Sequence, residues 1–387
     1  MATSILRAAR ALLAIVLASG PALPALGRDS LIVSMASAVE RDEVERSIST
    51  LESFGTRYAL SPEGDAAGDW IHAVLEGHGL EVSFETFSYG GDEMRNVVAR
   101  HAGAVAPERV FVVGAHCDST SSVPWTDAPG ADDNASGVAA VLEAARVLSA
   151  HRFEHTLELI LFDAEELGRR GSEANVAGAV AAGKDIAGMV NLDMIGYWPP
   201  GSDRELDIGK NIASAWLADV AEQAALDYAT LPVHNWPDTG VCFDDHVSYW
   251  SGGFDAITLM DCYEAHADPS GSGESTPHYH QPTDTIATLD LDQTTEVVRA
   301  MLGTLAELAV PVIEPMTLYG LKGPGTDDVR LTWRGGAINY DVESCPLADF
   351  TSGVVSLTPP GGIVATEWVD AGVLGDGVLH YYRIGRH

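Results

Sequence analysis

Residues 109–118 read RVFVVGAHCD, a largely apolar run that ends in an imidazole, a thiol and a carboxylate. A strand that is apolar on both faces is typical of a parallel sheet covered by helices on either side. Similar runs recur downstream with helix-like segments between them: strands at 157–162, 186–192 and 256–260, and helices at 135–150, 172–183, 212–228 and 290–309. This alternation predicts an α/β fold with a mostly parallel central sheet flanked by helices.

The α/β pattern extends upstream of this run and ends near Pro315. Residues 42–54 and 64–79 have a helical period, and residues 81–89 and 96–101 alternate as strands do. Beyond Thr317 the sequence has short alternating pieces, several of them separated by Gly and Pro clusters: 329–333, 338–342, 354–357, 367–369 and 379–384. We therefore predict an α/β domain over 28–315 and a small C-terminal all-β sandwich over 316–387, which resembles fibronectin-III-like modules.

The first 27 residues have the organisation of a signal peptide. Arg7 and Arg10 precede an apolar run at 11–17 and a stretch of small residues broken by proline at 18–27. The apolar run is too short to span a bilayer, and no later stretch approaches roughly 18 apolar residues. We expect a secreted or periplasmic protein without stable membrane insertion.

The charge balance excludes some partners. The 387 residues carry 56 acidic and 22 basic side chains, for a formal net charge of −34. Such a chain repels nucleic acid and anionic membrane surfaces. The hydrophobic share of 46% is that of a globular protein with a sizeable core.

The four cysteines do not form a thiolate metal motif, because none has CxxC spacing. Cys117 lies between two motif residues and is expected to be a buried free thiol. Export permits disulfides, and Cys242 with Cys262 is the pairing we favour, while the sequence alone leaves the connectivity open.

Five short segments carry clustered polar side chains: GAHCD at 114–118, GADDNASG at 130–137, FDAEELG at 162–168, NLDM at 191–194 and HYHQPTDT at 278–285. Within them, His116, Glu165, Glu166 and Asp193 each follow the end of a predicted strand. The carboxyl ends of parallel strands meet at one edge of a sheet, where open α/β folds bind their ligands. These side chains are therefore expected to share one cleft.

Carboxylates gathered in one cleft repel one another and take up protons unless cations balance them. Carboxylates with imidazoles and without thiolates are typical ligands of catalytic zinc. Taken singly, the segments have structural explanations: a lone histidine after a strand, a solvated Glu pair, and Asp-Asp-Asn as a turn or helix cap. Their common place at strand ends favours a metal site. Two zinc ions that share a bridging carboxylate would suit peptide hydrolysis.

The five segments together resemble the secreted bacterial leucyl-type aminopeptidases with co-catalytic zinc. The matching motifs span residues 114–286: GAHCDS, PGADDNASG, FDAEELGRRGS, NLDMIGY and YHQPTDTI. The resemblance implies a zinc-dependent metalloexopeptidase that holds two Zn²⁺ per chain and acts on peptides with a free N-terminus. We expect a monomer.

The resemblance also implies a set of metal ligands. Asp133 matches the carboxylate that bridges the two zinc ions. His116 and Asp193 match the other ligands of one ion, and Glu166 and His280 match those of the second ion.

Further roles follow from the same resemblance. Glu165 matches the general base, and Tyr279 matches a tyrosine that hydrogen-bonds the developing oxyanion in one branch of the family. Asp118 matches a partner that fixes the tautomer of His116. The Asp133–Asn134 peptide bond is expected to be cis.

Some residues near these motifs depart from the family pattern or lie outside it. In the branch with the oxyanion tyrosine, two cysteines flank the Tyr-His pair, and here His278 and Pro282 stand in their places. His278 is expected to support the site from outside the metal ligands or to lie at the surface, and His246 is expected to be structural.

Three alternatives remain open on the same scaffold: a glutaminyl cyclase with a single zinc, a carboxypeptidase, and an inactive exported binding protein. Inactive relatives usually lose metal ligands. All five candidate ligands and the candidate base are present here, which favours a hydrolase.

Overall fold

The computed structural model of the chain describes residues 29–198, 205–237, 244–261 and 276–312, together with the main chain of six short C-terminal strands. One eight-stranded mixed sheet forms the centre of the α/β region. Its strands are β1 (Glu81–Tyr89), β2 (Asp92–His101), β3 (Ala106–His116), β4 (His155–Phe162), β5 (Asp185–Leu192), β6 (Leu206–Lys210), β7 (Val233–Pro237) and β8 (Ala256–Met260).

The strands lie in the order β1-β2-β4-β3-β5-β8-β6-β7. The central strands β4, β3, β5 and β8 are parallel to one another, as are β6 and β7. The pairs β1–β2, β2–β4 and β6–β8 are antiparallel. The predicted mostly parallel sheet is thus confirmed, and its antiparallel pairs add strands at both sides of the parallel centre.

The core lies on both faces of the sheet. Alternate residues of β3 enter opposite apolar clusters: Phe111 and Val113 belong to the larger one, and Val110 and Val112 to the smaller one. Because successive side chains of a strand point to opposite faces, this alternation shows that β3 is buried on both sides, as its sequence predicts.

Helices cover the two faces. They are α1 (Ser30–Ser37), α2 (Arg41–Glu52), α3 (Pro62–Gly77), α4 (Gly137–Leu148), α5 (Arg170–Ala182), α6 (Ala215–Tyr228), α7 (Asp245–Ser251) and α8 (Leu291–Ala309). Helices α4 and α8 pack in the larger cluster, and α5 and α7 contribute Val176 and Tyr249 to the smaller one. The flanking helices predicted from the sequence are therefore present.

The helix expected to begin at residue 135 begins at Gly137 instead. A π-helical turn, Ala131–Ser136, precedes it, with non-helical main-chain angles at Asp133 and Asn134. The side chain of Asn134 accepts a hydrogen bond from the main-chain nitrogen of Gly137 at 3.0 Å. Such a local bond competes with helix formation, which explains the later start.

The C-terminal region contributes strands at Tyr319–Lys322, Val329–Thr332, Tyr340–Cys345, Val355–Ser356, Glu367–Asp370 and Tyr381–Arg386. They pair as two three-stranded antiparallel sheets. The sandwich domain over 316–387 and the boundary at 315 stay predictions, and the expected signal peptide at 1–27 lies outside the described residues. Among the described helices, none has the length and apolar character needed to cross a membrane.

Candidate active site

Four of the predicted site residues lie at the carboxyl ends of adjacent parallel strands. His116 is the last residue of β3, Asp193 directly follows β5, and Glu165 and Glu166 follow the end of β4. Since β3 pairs in parallel with both β4 and β5, these ends meet at one edge of the sheet.

Asp133 lies between two groups of ligand atoms. Its Oδ1 is 3.1 Å from Nε2 of His116, and its Oδ2 is 3.3 Å from Nε2 of His280. Nε2 of His116 is also 3.4 Å from Oδ1 of Asp193, and Nε2 of His280 is 3.1 Å from Oε2 of Glu166. The carboxylate of Asp133 therefore belongs to two triads, which we call the His116 triad and the His280 triad.

Each triad has the donor set and the spacing of a zinc site. Each offers two carboxylates and one imidazole, with ligand atoms within 4.8 Å of one another. Ligands about 2.0–2.1 Å from a tetrahedral zinc ion lie about 3.3–3.4 Å apart, close to the separations of 3.1 to 3.4 Å found here. Oε1 of Glu166 is buried and has no hydrogen-bond partner in the described part of the chain. The residues present thus fit a metal ion in each triad.

The electrostatics of the cleft favour positive charge. Burial opposes protonation of His280, but hydrogen bonds to Asp133 and Glu166 raise its pKa to about 10. Burial also opposes protonation of His116, yet the negative charge of Asp193 and hydrogen bonds to neighbouring carboxylates raise its pKa well above 6.5. Burial raises the pKa of Glu166 to about 7, with the charge of Asp133 adding to it. A divalent cation would relieve the same imbalance.

Asp118 connects the first triad to the segment after β4. Nδ1 of His116 is 3.1 Å from the main-chain oxygen of Asp118 and 3.5 Å from its carboxylate. The carboxylate also accepts hydrogen bonds from the main-chain nitrogens of Glu165 and Glu166, at 3.0 and 3.2 Å. Asp118 thus contacts Nδ1 of His116 through both its carbonyl and its carboxylate, with the carbonyl closer. Such contacts hold Nε2 toward the triad.

A second carboxylate fixes the main chain around Asp133. The side chain of Asp284 accepts hydrogen bonds from the nitrogens of Asp132 and Asp133, at 2.9 and 3.0 Å. The Asp133–Asn134 peptide bond is cis, as predicted. The next residue, Asn134, donates a hydrogen bond from Nδ2 to the main-chain oxygen of Leu192 at 2.9 Å. This bond joins the turn to the end of β5.

Glu165 lies beside both triads. Burial raises the pKa of its carboxyl well above 4.5, the charge of His116 opposes this, and Asp245 and Asp193 add to it. A carboxyl in that environment is suited to taking up and releasing a proton.

Tyr279 stacks on a metal-ligand candidate. Its ring lies 3.8 Å from the ring of His280 with an interplanar angle of 23°. Burial raises the pKa of its hydroxyl, and the charges of Asp133 and Glu166 raise it further. The phenol stays protonated at neutral pH and so carries a hydrogen-bond donor.

The remaining predictions concern histidines and cysteines near the motifs. Nδ1 of His278 is 2.9 Å from the hydroxyl of Thr283, outside both triads. His246 is fully buried against Trp250, in agreement with a structural role. Cys117 is a buried free thiol, as predicted. The favoured pairing of cysteines 242 and 262 lies outside the described residues.

A family comparison agrees with this geometry. Residues 96–305, which include all five motifs and both triads, match the model of peptidase family M28. The chain belongs to that family.

Relatives of this M28 chain carry related names. Leucine aminopeptidase 1 of Trichophyton equinum is 29% identical over 298 residues, which cover 71% of this chain and 76% of the relative. LapB of Legionella pneumophila superposes with a TM-score of 0.65 at 22% identity, covering 73% of this chain and 76% of that one. BSAP, a zinc aminopeptidase from Bacillus subtilis, superposes with a TM-score of 0.61 at 16% identity, covering 70% and 95%. The two structural likenesses establish the α/β fold.

The family match confirms the predicted kinship with zinc aminopeptidases and the prediction that this chain is a metallopeptidase. The structure also identifies two residues to which the sequence analysis assigned no role. Asp284 lies in a quoted motif, four residues after His280, so its place was a signal for a role at the site. Arg57 donates hydrogen bonds to the main chain behind the site. It belongs to none of the five motifs, so the sequence did not indicate a role for it.

Proposed function

We propose that this chain is a secreted aminopeptidase that uses two zinc ions to hydrolyse the first peptide bond of its substrates. The observation that carries the proposal is the position of Asp133, whose two carboxylate oxygens face different imidazoles at 3.1 and 3.3 Å. A carboxylate shared by two complete triads is the arrangement needed for a pair of metal ions that act together.

When bound, the two zinc ions would polarise the scissile carbonyl and lower the pKa of the attacking water. We assign the proton transfer to Glu165. The charges of His116 and Asp193 act on its carboxyl. The carboxyl takes a proton from the attacking water as the new C–O bond forms. The same carboxyl then gives that proton to the leaving amine as the C–N bond breaks.

We assign to Tyr279 the stabilisation of the oxygen of the scissile carbonyl. As the carbonyl becomes tetrahedral, negative charge develops on its oxygen, and a preorganised donor stabilises that charge more than it stabilises the substrate. The stacking of Tyr279 on the ring of His280 supports this assignment, because it keeps the phenol next to a metal-ligand candidate. The hydroxyl donates a hydrogen bond and remains protonated throughout.

Selection of a free N-terminus follows from the charge of the cleft. The two triads and Glu165 gather four carboxylates around two imidazoles. We infer that a substrate ammonium binds among these carboxylates, whereas an acetylated N-terminus offers no charge to them. Peptides with a free N-terminus are therefore the proposed substrates.

We also propose where the enzyme acts and how its chain is organised. The basic and apolar pattern of residues 1–27 supports export to the periplasm or the medium. We propose a monomer with a β-sandwich domain over 316–387. Sizing of the purified protein by light scattering, and N-terminal sequencing of the exported form, test these points.

The activity is tested with a panel of aminoacyl chromogenic substrates and an N-acetylated control, before and after a zinc chelator. We expect release only from free-amine substrates, loss of release on chelation, and recovery with zinc. Release from blocked N-termini, or from C-termini alone, would contradict the proposal. Loss of ammonia from an N-terminal glutamine substrate without peptide cleavage would indicate a cyclase, and a folded, zinc-loaded protein that turns over nothing would indicate a binding protein.

A further inference from the structure

Arg57 is the most unusual buried side chain next to the site. It is 0% exposed and is among the largest fully buried side chains of the described residues. It follows α2 in a loop, and the family resemblance assigns it no role. A buried guanidinium without hydrogen-bond partners is strongly destabilising, so the partners of Arg57 show what it contributes to the fold.

Among the described residues, the guanidinium donates to main-chain carbonyls alone. Nε donates to Cys117 at 3.0 Å, Nη2 donates to Gly130 at 2.8 Å, and Nη1 donates to Pro129 at 2.6 Å and to Leu51 at 3.4 Å. A planar fork with donors on several sides can join separate segments in a fixed geometry, which an ammonium cannot do in the same way.

Two of these segments carry metal-ligand candidates. Cys117 directly follows His116, and Gly130 lies three residues before Asp133. Gly130 has a φ of +52°, and a Cβ there would lie 2.4 Å from the main-chain oxygen of Asp133 and 3.0 Å from Nη2 of Arg57. The arginine therefore packs tightly against the turn that presents Asp133.

The main chain of Arg57 adds a second connection to the same region. Its nitrogen donates to the hydroxyl of Ser119 at 3.0 Å, and its oxygen accepts from the nitrogen of Ser119 at 3.2 Å. The hydroxyl of Ser119 in turn donates to the main-chain oxygen of Ala128 at 2.7 Å. Side chain and main chain of Arg57 thus both link the segment after β3 to the segment before the π-helical turn.

We propose that Arg57 is a positioning residue of the metal centre, which sets the separation of His116 from Asp133 and so controls metal binding in the His116 triad. It places a positive charge behind the bridging carboxylate without bonding to it. The His280 triad depends on Arg57 less, because its other two ligands, Glu166 and His280, lie outside the segments to which the guanidinium donates. The proposal rests on the proposed function for the presence of a metal ion in each triad.

The test is cobalt titration of the metal-free full chain, followed by visible absorption, for the wild type, Arg57→Met and Arg57→Lys. Groups that orient metal ligands typically contribute about 10–100-fold to affinity. We expect Arg57→Met to weaken one of two cobalt-binding steps by at least about tenfold and to leave the other within about threefold. Arg57→Lys should fall between Arg57→Met and the wild type, because one ammonium replaces only part of the fork.

Two double variants identify the triad that Arg57→Met affects. Added to His280→Ala, the Arg57→Met change should weaken the remaining cobalt binding by at least about tenfold. Added to His116→Ala, it should leave the remaining binding within about threefold. The opposite pattern would overturn the proposal, as would wild-type cobalt affinities in both Arg57 variants.

A matched control separates positioning from general stability. Arg146 also bonds to a main-chain oxygen and to Glu143, on helix α4. Arg146→Met is expected to lower the melting temperature and to keep both cobalt affinities. If Arg57→Met does not fold, Ser119→Ala should shift the same cobalt-binding step in the same direction to a smaller extent, and an unchanged step in both Ser119→Ala and Arg57→Lys would overturn the proposal. Because cobalt binding is read without substrate, these results are independent of whether the enzyme cleaves N-terminal bonds.

Discussion

The carboxylate of Asp118 accepts a hydrogen bond of 3.0 Å from the main-chain nitrogen of Glu165. The segment that follows β3 therefore fixes the start of the segment that follows β4. A single buried carboxylate in this way holds the proposed general base beside a metal ligand of the adjacent strand. Preorganisation of this kind keeps the reacting groups in place before the substrate binds.

Replacement of Glu165 by glutamine should abolish turnover and leave the metal bound. The amide keeps the size of the side chain and its main-chain bond to Asp118, but it cannot take a proton from water. We expect kcat to fall by about 10²–10⁴-fold or more, with unchanged zinc content by elemental analysis. Glu173→Gln on α5, where the carboxylate pairs with Arg170, is the matched control and should retain full activity. A kcat near that of the wild type in Glu165→Gln would remove Glu165 from this role.

Replacement of His280 by alanine should remove one metal ion. Its Nε2 lies 3.1 Å from Glu166 and 3.3 Å from Asp133, so its loss leaves the His280 triad with carboxylates alone, while the His116 triad keeps its ligands. Zinc stoichiometry should fall from two toward one. His278→Ala provides a neighbouring control, since that imidazole bonds to Thr283. Equal zinc content in the two variants would contradict the assignment.

The fold was predictable where packing follows a regular period. Strand β3 alternates between two apolar clusters, and its sequence alone shows a strand buried on both faces. Helix α1 (Ser30–Ser37) was not predicted, because its eight residues follow the expected signal peptide directly. The five-residue strands β6 and β7 were not predicted, because neither has the largely apolar run of β8, a strand of the same length. Local bonds of Asn134 moved the start of α4, and such bonds are not visible in a hydrophobic pattern.

The site was predictable where residues form motifs at strand ends. His116, Asp193 and Glu166 follow strands that the sequence shows, and the parallel sheet brings them together. Arg57 could not be found in this way, since its partners are main-chain carbonyls. Carbonyl acceptors are common to every residue type, so a sequence motif does not encode them.

Replacement of Tyr279 by phenylalanine should slow the chemical step without releasing metal. Phenylalanine keeps the stacking on His280 but lacks the donor to the developing oxyanion. Removal of one such donor costs about 10²–10³-fold in kcat, and KM should change little. Steady-state kinetics with an aminoacyl anilide measure both values. Tyr89→Phe at the end of β1 is the control, and a kcat loss of the same size there would show that the effect is not specific to the site.

Replacement of Gly137 by alanine should disturb the metal centre through packing alone. A Cβ at Gly137 would lie 2.4 Å from Oδ1 of Asn134 and 2.9 Å from the main-chain oxygen of Leu192. The side chain of Asn134 must move, and with it the residue that follows Asp133. We expect a loss of about 1–3 kcal/mol in the free energy of unfolding, as for other overpacked sites, together with weaker zinc binding.

Gly68→Ala in α3 is the matched control for this prediction. A Cβ there meets nothing within 4 Å, and alanine is favoured over glycine inside a helix by about 0.5–1 kcal/mol. Urea denaturation of both variants, with zinc analysis, should therefore show opposite signs of stability change. Wild-type stability and zinc content in Gly137→Ala would contradict the prediction. Such a result would mean that the turn before α4 accommodates the added Cβ without moving the metal ligands.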